Sequence, residues 1–334
     1  MMLEGLGLAA LSGVCNGLFA APMKLMRRWK WENIWLLFIV VACLILPVVM
    51  AVSGAGGIVG NVLARAPQGA VSSACVFGFA WGFGAILFGL SVDRLGVSLA
   101  NSLVIGLSSA LGSVVPMILS TGFQLDRRST ILLAGVVTFL VGVALCGAAG
   151  MRRGSSATGG APVSAYLFCI GSGVMSAIFN IGYSLALPIA ATGVEAGLSQ
   201  FAATNVIWLL MLGFGSVPNI IYCSWLLRRN GTAQLFGAAG EGPRGWVLSG
   251  LMGLLWGGSI FLYGAATPRL GNLGPSIGWP LSLAVGLLVA NSMGILLGEW
   301  RGQPRESVRL MWAGIVTLLA AIALCAWSAS IGSV

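Results

Sequence analysis

The side chains of this chain that could bind a ligand are aromatic rings and amides placed inside long apolar runs. Ring faces cover the C–H surface of a small molecule, and amides exchange hydrogen bonds with its hydroxyl groups. Residues of these types therefore indicate a site for a neutral, polar ligand. Six of them are the candidate ligand-binding residues: Asn16, Trp81, Asn180, Tyr183, Trp256 and Trp279.

The same residue types also hold helices together, so a structural role is the alternative for these candidates. Trp81 and Trp256 lie too deep in their apolar runs for an interfacial aromatic belt, but they could pack in glycine-rich surroundings. Asn16 and Asn180 could each hydrogen-bond a neighbouring helix. Tyr183 follows Asn180 by three residues and would share its helix face.

Side chains that are charged at neutral pH are absent from the middle of the apolar runs. The chain has no His, and its seven Cys lie singly, without the spacing of a metal site or a disulfide framework. The eight acids all map to the ends of apolar runs or to connectors: Glu4, Glu32, Asp93, Asp126, Glu195, Glu241, Glu299 and Glu306. The sequence also has no G-x-x-x-x-G-K-[ST] loop. Neither an enzyme nor an ATP-driven pump is predicted, and no cofactor or metal is expected.

Composition places the chain in a membrane. Of the 334 residues, 58% are hydrophobic and 7% are charged, whereas a soluble chain carries about a quarter charged residues. The 50 Gly suit membrane helices that approach one another closely. The net charge of +9 comes from short basic clusters between apolar runs, which indicates membrane topology and not a nucleic-acid binder. Membrane lipid is the expected partner.

Runs of about 20 apolar residues predict ten membrane-spanning helices. They lie near 4–22, 33–53, 70–92, 97–119, 130–150, 164–187, 199–226, 246–267, 273–297 and 308–330. The first run has its basic residues after it and none before it, the reverse of a secretory signal, so it is expected to remain as a span. The longest connectors, near 54–69, 151–163 and 227–245, leave no room for a soluble domain.

The basic residues predict the direction of the spans. Thirteen of the 17 Lys and Arg follow spans one, three, five, seven or nine, at positions 24–30, 94, 152–153, 228–244 and 301–309. The other four lie in connectors on the opposite side. Because Lys and Arg favour the cytoplasmic face, both termini are expected on the outer, periplasmic side of an inner membrane.

One phrase occurs twice in the chain. Trp81–Gly96 reads WGFGAILFGLSVDRLG and Trp256–Gly271 reads WGGSIFLYGAATPRLG, with seven of sixteen positions identical. The copies end spans three and eight, and five spans is an odd number, so they run in opposite directions through the bilayer. The sequence therefore predicts two inverted five-helix repeats, 1–150 and 164–330, which is the architecture of a secondary transporter with a shared central site.

The ninth span contains the run PSIGWP at Pro275–Pro280, in which Trp279 lies between Gly278 and Pro280. This composition predicts a break in the helix. A broken helix at a repeat interface exposes backbone groups that can bind a ligand.

Five stretches, in order over almost the whole chain, resemble the L-rhamnose–proton symporter family of the drug/metabolite transporter superfamily. They are APMKLMRRWKWENIW (Ala21–Trp35), ILP (Ile45–Pro47), FGFAWGFGAILFGLSVDRLGVSL (Phe77–Leu99), VPNIIYC (Val217–Cys223) and GEW (Gly298–Trp300). The resemblance implies ten helices in two inverted repeats and proton-coupled uptake of a monosaccharide such as L-rhamnose. The PSIGWP run stands where rhamnose members have a polar, tyrosine-containing run, which implies a different sugar pocket.

Cargo and coupling ion stay open at this point. A drug/metabolite exporter or exchanger with the same fold is the alternative function, and sodium is the alternative to the proton. A symporter needs a titratable group reachable from both sides, and Glu4 and Glu195 on the predicted outer face are the candidates. The absence of charge from the middle of the spans favours a neutral cargo such as a sugar over a cation or an anion, and without a polar pore-lining ring a channel is not predicted.

Overall fold

The computed structural model describes residues 2–95, 97–122, 126–153, 163–237, 242–296 and 300–331, and leaves the side chains of 24, 92–99, 101–102 and 153 outside the description. Within these ranges the chain is helical, and ten stretches are long and apolar enough to cross a membrane. Each stretch overlaps one predicted span, so the prediction of an all-α membrane protein with ten spans is confirmed.

The helices are α1 (Met2–Leu18), α2 (Trp31–Ile39), α3 (Leu46–Ala55), α4 (Val59–Arg65), α5 (Gln68–Leu95), α6 (Val97–Thr121), α7 (Arg127–Arg153), α8 (Val163–Glu195), α9 (Gln200–Asn230), α10 (Gly242–Ala266), α11 (Gly274–Leu296) and α12 (Arg305–Ser330). The second span, Trp31–Arg65, consists of α2, α3 and α4. Each of the other nine spans is built on one α-helix.

The second span is longer than predicted, because part of the expected connector 54–69 is helical. α2 passes through a π-helical turn (Val40–Ile45) into α3, and a short 3₁₀ turn joins α3 to α4. Pro47 has no N–H, and just before it the backbone widens so that the N–H of Leu46 bonds the carbonyl of Val41, five residues back. The proline is absorbed in this way without ending the span.

The predicted break in the ninth span is wrong, since α11 is continuous from Gly274 to Leu296. Pro275 lies in the first turn, where a helix does not use the N–H that proline lacks. Pro280 removes one further N–H, but residues 274–282 are buried in protein on all sides, and this packing holds the helix together.

The described chain divides into two compact units, each drawn from both halves of the sequence. Unit 1 contains Met1–Gly17, Gly84–Ile181 and Ala266–Val334, and unit 2 contains Leu18–Phe83 and Gly182–Ala265. α5 and α8 each contribute one end to each unit. The compact units are therefore different divisions of the chain from the predicted sequence repeats 1–150 and 164–330.

In unit 1, α7 and α12 pack along one another through small residues. A Cβ on Gly314 would lie 2.5 Å from Cys146 Sγ, and one on Gly142 would lie 3.0 Å from Leu318 Cδ2. Larger residues at these glycines would push the helices apart. Close packing of this kind holds membrane helices together, because lipid offers no hydrophobic gain for their contact.

In unit 2, the two copies of the repeated phrase place equivalent glycines at helix contacts. A Cβ on Gly82 of α5 would collide with the carbonyl oxygen of Gly215 on α9. A Cβ on its repeat mate Gly257 of α10 would lie 2.7 Å from Leu46 Cδ2 on α3. The third span thus packs on the seventh at Gly82, and the eighth span packs on the second at Gly257. A side chain at either position would collide with the neighbouring helix, which explains the glycine in both copies of the phrase.

We expect Gly82→Ala to destabilise the protein more than Gly257→Ala. The new Cβ at 82 meets backbone, whereas that at 257 meets the end of a flexible Leu46 side chain first. Gly82→Ala should lower the free energy of unfolding by about 1–3 kcal/mol, which is detected as a lower Tm of the purified protein in detergent. Gly258→Ala is the control, because nothing lies within 4 Å of its Cβ, and its Tm should be unchanged or slightly higher. Equal losses at 82 and 258 would contradict this packing.

Candidate functional site

The repeat mates Trp81 and Trp256 stack on each other in unit 2. Their ring centroids are 5.1 Å apart with planes inclined by 12°, and Phe38 meets Trp256 edge-on at 5.8 Å. Trp81 is 9% exposed and also lies against Gly215 of α9. Both Trp lie near the middle of their spans. The structure therefore brings together the two residues that the repeat singled out.

A second aromatic group in unit 2 contains Tyr183. Its ring stacks on Trp208 of α9 at 4.4 Å and 6°, and Tyr263 of α10 lies 5.5 Å from Tyr183. All three side chains are at most 1% exposed. Gly264, a glycine of the repeated phrase, makes room for the Trp208 ring. Sequence reasoning missed Trp208, although its distance from both ends of its span was a signal.

Asn180 and Trp279 lie in unit 1 and connect three helices. Both N–H groups of the fully buried Asn180 amide are engaged, with Gly112 O of α6 at 2.7 Å and Pro275 O of α11 at 3.1 Å. The indole N–H of Trp279 donates to Ser108 of α6, with the carbonyl oxygen at 3.2 Å and Oγ at 3.3 Å. These bonds match the structural alternative for Asn180, in which the amide holds neighbouring helices together.

Asn16, on α1, is partly exposed and lies beside Gly286 of α11. The same two helices are joined by a hydrogen bond of 2.8 Å between the hydroxyls of Ser12 and Ser282. Three of the six candidates (Asn16, Asn180 and Trp279) thus belong to unit 1, and the other three (Trp81, Tyr183 and Trp256) belong to unit 2.

The two proposed coupling acids have different surroundings. Glu4 Oε1 forms an ion pair with Arg269 Nε at 3.0 Å, and its side chain is 55% exposed. Glu195 is exposed at the end of α8. The ion pair joins the first span to the Arg of the repeated phrase, and the basic-residue count had assigned both residues to the same face.

Arg128 holds the end of the same phrase. Its guanidinium donates to Leu270 O at 2.7 Å and to Asn272 Oδ1 at 2.8 Å, and it is 5% exposed. Gly271, with a φ of 79°, makes the turn that follows. Asp126 caps the start of α7 by accepting the backbone N–H of Ser129 at 2.7 Å, and this bond holds the pKa of Asp126 below its ordinary value. The Arg-Leu-Gly ending of the second copy is thus explained by an ion pair, a buried Leu and a tight turn. Arg94–Gly96 of the first copy lies outside the described side chains.

Glu32 is buried, which the sequence did not predict. Its Oε1 accepts hydrogen bonds from Asn230 at 2.9 Å and from Thr232 at 2.8 Å, and the residue is 5% exposed. Glu32 also lies in the first turn of α2, where the helix dipole favours a negative charge. These contacts stabilise a carboxylate that ties the start of the second span to the end of the seventh.

Comparison with known proteins decides the family. The family described as "L-rhamnose-proton symport protein (RhaT)" matches residues 5–330. The chain belongs to this family. Similar relatives are the L-rhamnose-proton symporters of Shigella dysenteriae serotype 1 (strain Sd197) and Escherichia coli (strain 55989 / EAEC), each 26% identical over 332 residues, which cover 94% of this chain and 93% of the relative. That of Shigella boydii serotype 18 (strain CDC 3083-94 / BS512) is 25% identical over the same shares.

Membership confirms the family that the five stretches indicated, and it favours the sugar–proton symporter over the exporter or exchanger. The relatives are named as symporters, which are transporters and not enzymes. With ten apolar helices, this member of the symporter family is a multi-pass membrane protein.

The Trp pair gives a test that separates ligand binding from packing. Trp81→Ala and Trp256→Ala should each weaken sugar binding about tenfold or more, whereas Phe at either position should have a mild effect. Because the rings stack on each other, the double Ala variant should lose less free energy of sugar binding than the two single Ala variants lose together. Affinity and Tm are measured on the same purified proteins. A lower Tm with normal affinity would show that the pair only packs the helices.

Proposed function

We propose that this protein is a symporter that imports L-rhamnose, or a closely related monosaccharide, together with protons across the inner membrane. The observation that carries the proposal is the family match over residues 5–330, which includes all ten spans but for a few terminal residues. The relatives are named for L-rhamnose and proton. A sugar is neutral, and the charged side chains that the structure describes lie at the ends of the spans, which suits a neutral cargo.

Equivalent helix contacts support the inverted repeat. Gly13 and Gly173 are matched in the repeated Ser-Gly-Val, and the shift that aligns the two long phrases also aligns Leu107 with Ser282. In unit 1, a Cβ on Gly13 of α1 would lie 2.6 Å from Ser282 O on α11, and one on Gly173 of α8 would lie 2.9 Å from Leu107 Cβ on α6. Span one therefore contacts span nine as span six contacts span four, as expected of two five-helix repeats over 1–150 and 164–330.

We assign sugar recognition to the six candidate residues, with rings covering C–H faces and amides bonding hydroxyls. Trp81 and Trp256 are the strongest members of this set, because they are repeat mates in direct contact. The identity of the sugar depends on PSIGWP as well. This run is a buried part of α11, so its departure from the rhamnose pattern changes the packing around Trp279.

The proton is the proposed coupling ion, and Glu4 and Glu195 are its proposed carriers. Protonation of Glu4 would remove the negative charge that holds Arg269, and would loosen the contact between the first span and the end of the repeated phrase. An exposed carboxylate can take up a proton from the outer solution directly, which is what import requires of the outer face. Sodium is the alternative ion.

The test of function is uptake of labelled sugars into proteoliposomes. L-rhamnose should accumulate when an inward proton gradient is imposed, and it should not accumulate when an ionophore collapses that gradient. A panel of other labelled monosaccharides identifies the preferred cargo. Accumulation that follows a sodium gradient, or no movement of any sugar, would contradict the proposal.

In the same assay, the carrier is identified by Glu4→Gln and Glu195→Gln. The variant that removes the carrier should lose accumulation but keep sugar exchange under equal concentrations, because exchange needs no net proton movement. Glu306→Gln is the control, since Glu306 is an exposed acid paired with Arg152 at 3.0 Å on the predicted inner face. If both Glu4→Gln and Glu195→Gln still accumulate sugar, neither residue is the carrier.

We also propose that both termini lie outside. The ion pairs support a consistent assignment of sides, because Glu4 with Arg269 and Arg152 with Glu306 each join residues predicted on one face. A reporter enzyme that works only in the periplasm should be active when it is fused after Val334, and one that works only in the cytoplasm should be inactive there. If a membrane-impermeant reagent labels a single Cys introduced at Arg301 in intact cells, position 301 lies outside and the proposed orientation is wrong.

A further inference from the structure

The Asn205 side chain has a buried acceptor that the protein does not use. Asn205 is 1% exposed, and its Oδ1 meets no hydrogen-bond donor among the described residues. A buried polar atom without a partner destabilises the fold, so such atoms call for an explanation. A donor supplied by a ligand is one explanation that can be tested.

Asn205 lies in a tightly packed part of α9. The α9 segment from Ala202 to Trp208 is buried on every side. Gly54 of α3 packs against Ala202, and a Cβ at Gly54 would lie 3.9 Å from Asn205 Nδ2. α3 and α9 therefore approach each other closely at this point.

Asn219 on the same helix shows the opposite case. Its Oδ1 accepts the indole N–H of Trp35 at 3.0 Å, and its Nδ2 donates to Gly82 O at 3.0 Å and Gly215 O at 3.1 Å. An amide that serves only to join helices has all its bonds made in this way. Asn205 does not fit that pattern, although it is equally buried.

One member of an aromatic group lies one turn from Asn205 on the same helix. Asn205 precedes Trp208 by three residues on α9 and therefore shares its side of the helix. Trp208 belongs to the group with Tyr183 and Tyr263. An acceptor beside aromatic rings is the combination that a pyranose needs, since the ring faces cover C–H groups and the amide oxygen accepts one hydroxyl.

We propose that Asn205 Oδ1 accepts a hydrogen bond from one hydroxyl group of the transported monosaccharide, in a subsite with Tyr183, Trp208 and Tyr263. This inference rests on the proposed function, because it takes the cargo to be a sugar. It adds a specificity residue to the six candidates, and it identifies the chemistry that Asn205 selects, a hydroxyl at one ring position.

The experiment combines protein variants with deoxygenated sugars. Binding of L-rhamnose and of its 2-, 3- and 4-deoxy analogues is measured on purified wild type and on Asn205→Leu, which has similar size and no acceptor. In the wild type, one analogue should bind about fivefold to tenfold more weakly than L-rhamnose. Asn205→Leu should bind L-rhamnose more weakly than wild type by a similar factor. The difference in affinity between L-rhamnose and that analogue should disappear in this variant.

The substrate-free Tm supplies the second measurement. Asn205→Leu should keep or raise the Tm, because it removes a polar atom that has no partner. Asn219→Ala is the matched control on the same helix: it should lower the Tm and leave the discrimination between the sugars unchanged.

The possible failures are distinct. If wild-type protein binds and transports no sugar, the proposed function falls and this inference falls with it. If wild type handles L-rhamnose but each analogue loses the same factor in wild type and Asn205→Leu, only the subsite is overturned. Equal losses in the two proteins are also the result expected if a buried water, and not the sugar, donates a hydrogen bond to Asn205 Oδ1.

Discussion

Lipid chains are as apolar as leucine, so two helices of this protein gain no hydrophobic stabilisation when they touch inside a bilayer. What holds them is close packing and the hydrogen bonds that close packing permits. Gly82 against the backbone of Gly215, and Gly314 against Cys146, are contacts of this kind. Close packing requires small residues at helix contacts, and this requirement explains why glycine is abundant in the sequence.

The polar contacts depend on that close approach. Asn180 reaches Gly112 O on α6 and Pro275 O on α11, and Asn219 reaches Gly82 O and Gly215 O. Asn180 bonds carbonyls of two other helices, whereas Asn219 bonds one carbonyl of α5 and one of its own helix, α9. Within each unit, these bonds fix the helices that carry the candidate residues. Asn205, like Asn33, has an amide oxygen that meets no donor among the described residues.

The repeated phrase links packing to the candidate residues. Its two copies place equivalent glycines at helix contacts, and their Trp81 and Trp256 rings stack on each other in unit 2. Proton coupling needs a group that changes charge. The buried Glu32 is stabilised as a carboxylate by two donors, whereas Glu4 is half exposed and forms an ion pair with Arg269.

Much of the architecture follows from the order of residues alone. Ten apolar runs give ten spans, since a bilayer core has a fixed thickness and only helices satisfy their own backbone in it. The repeated phrase, read from local sequence, also pointed to Trp81 and Trp256. These features depend on hydrophobicity and internal similarity, which no distant contact can alter. The resemblance of five stretches was enough to indicate the family.

Tertiary structure decided the features that depend on residues far apart in the chain. Glu32 stands at the start of a span, where exposure was the natural expectation, yet Asn230 and Thr232, about 200 residues later, bury and hydrogen-bond it. Pro280 was expected to break its helix, but packing on all sides of 274–282 keeps α11 continuous. Trp208 gained interest only when its neighbours were known, and the structure added to Asn205 an acceptor that meets no donor among the described residues. Burial and hydrogen-bond partners are set by which helices meet, and the sequence of a single span does not contain that information.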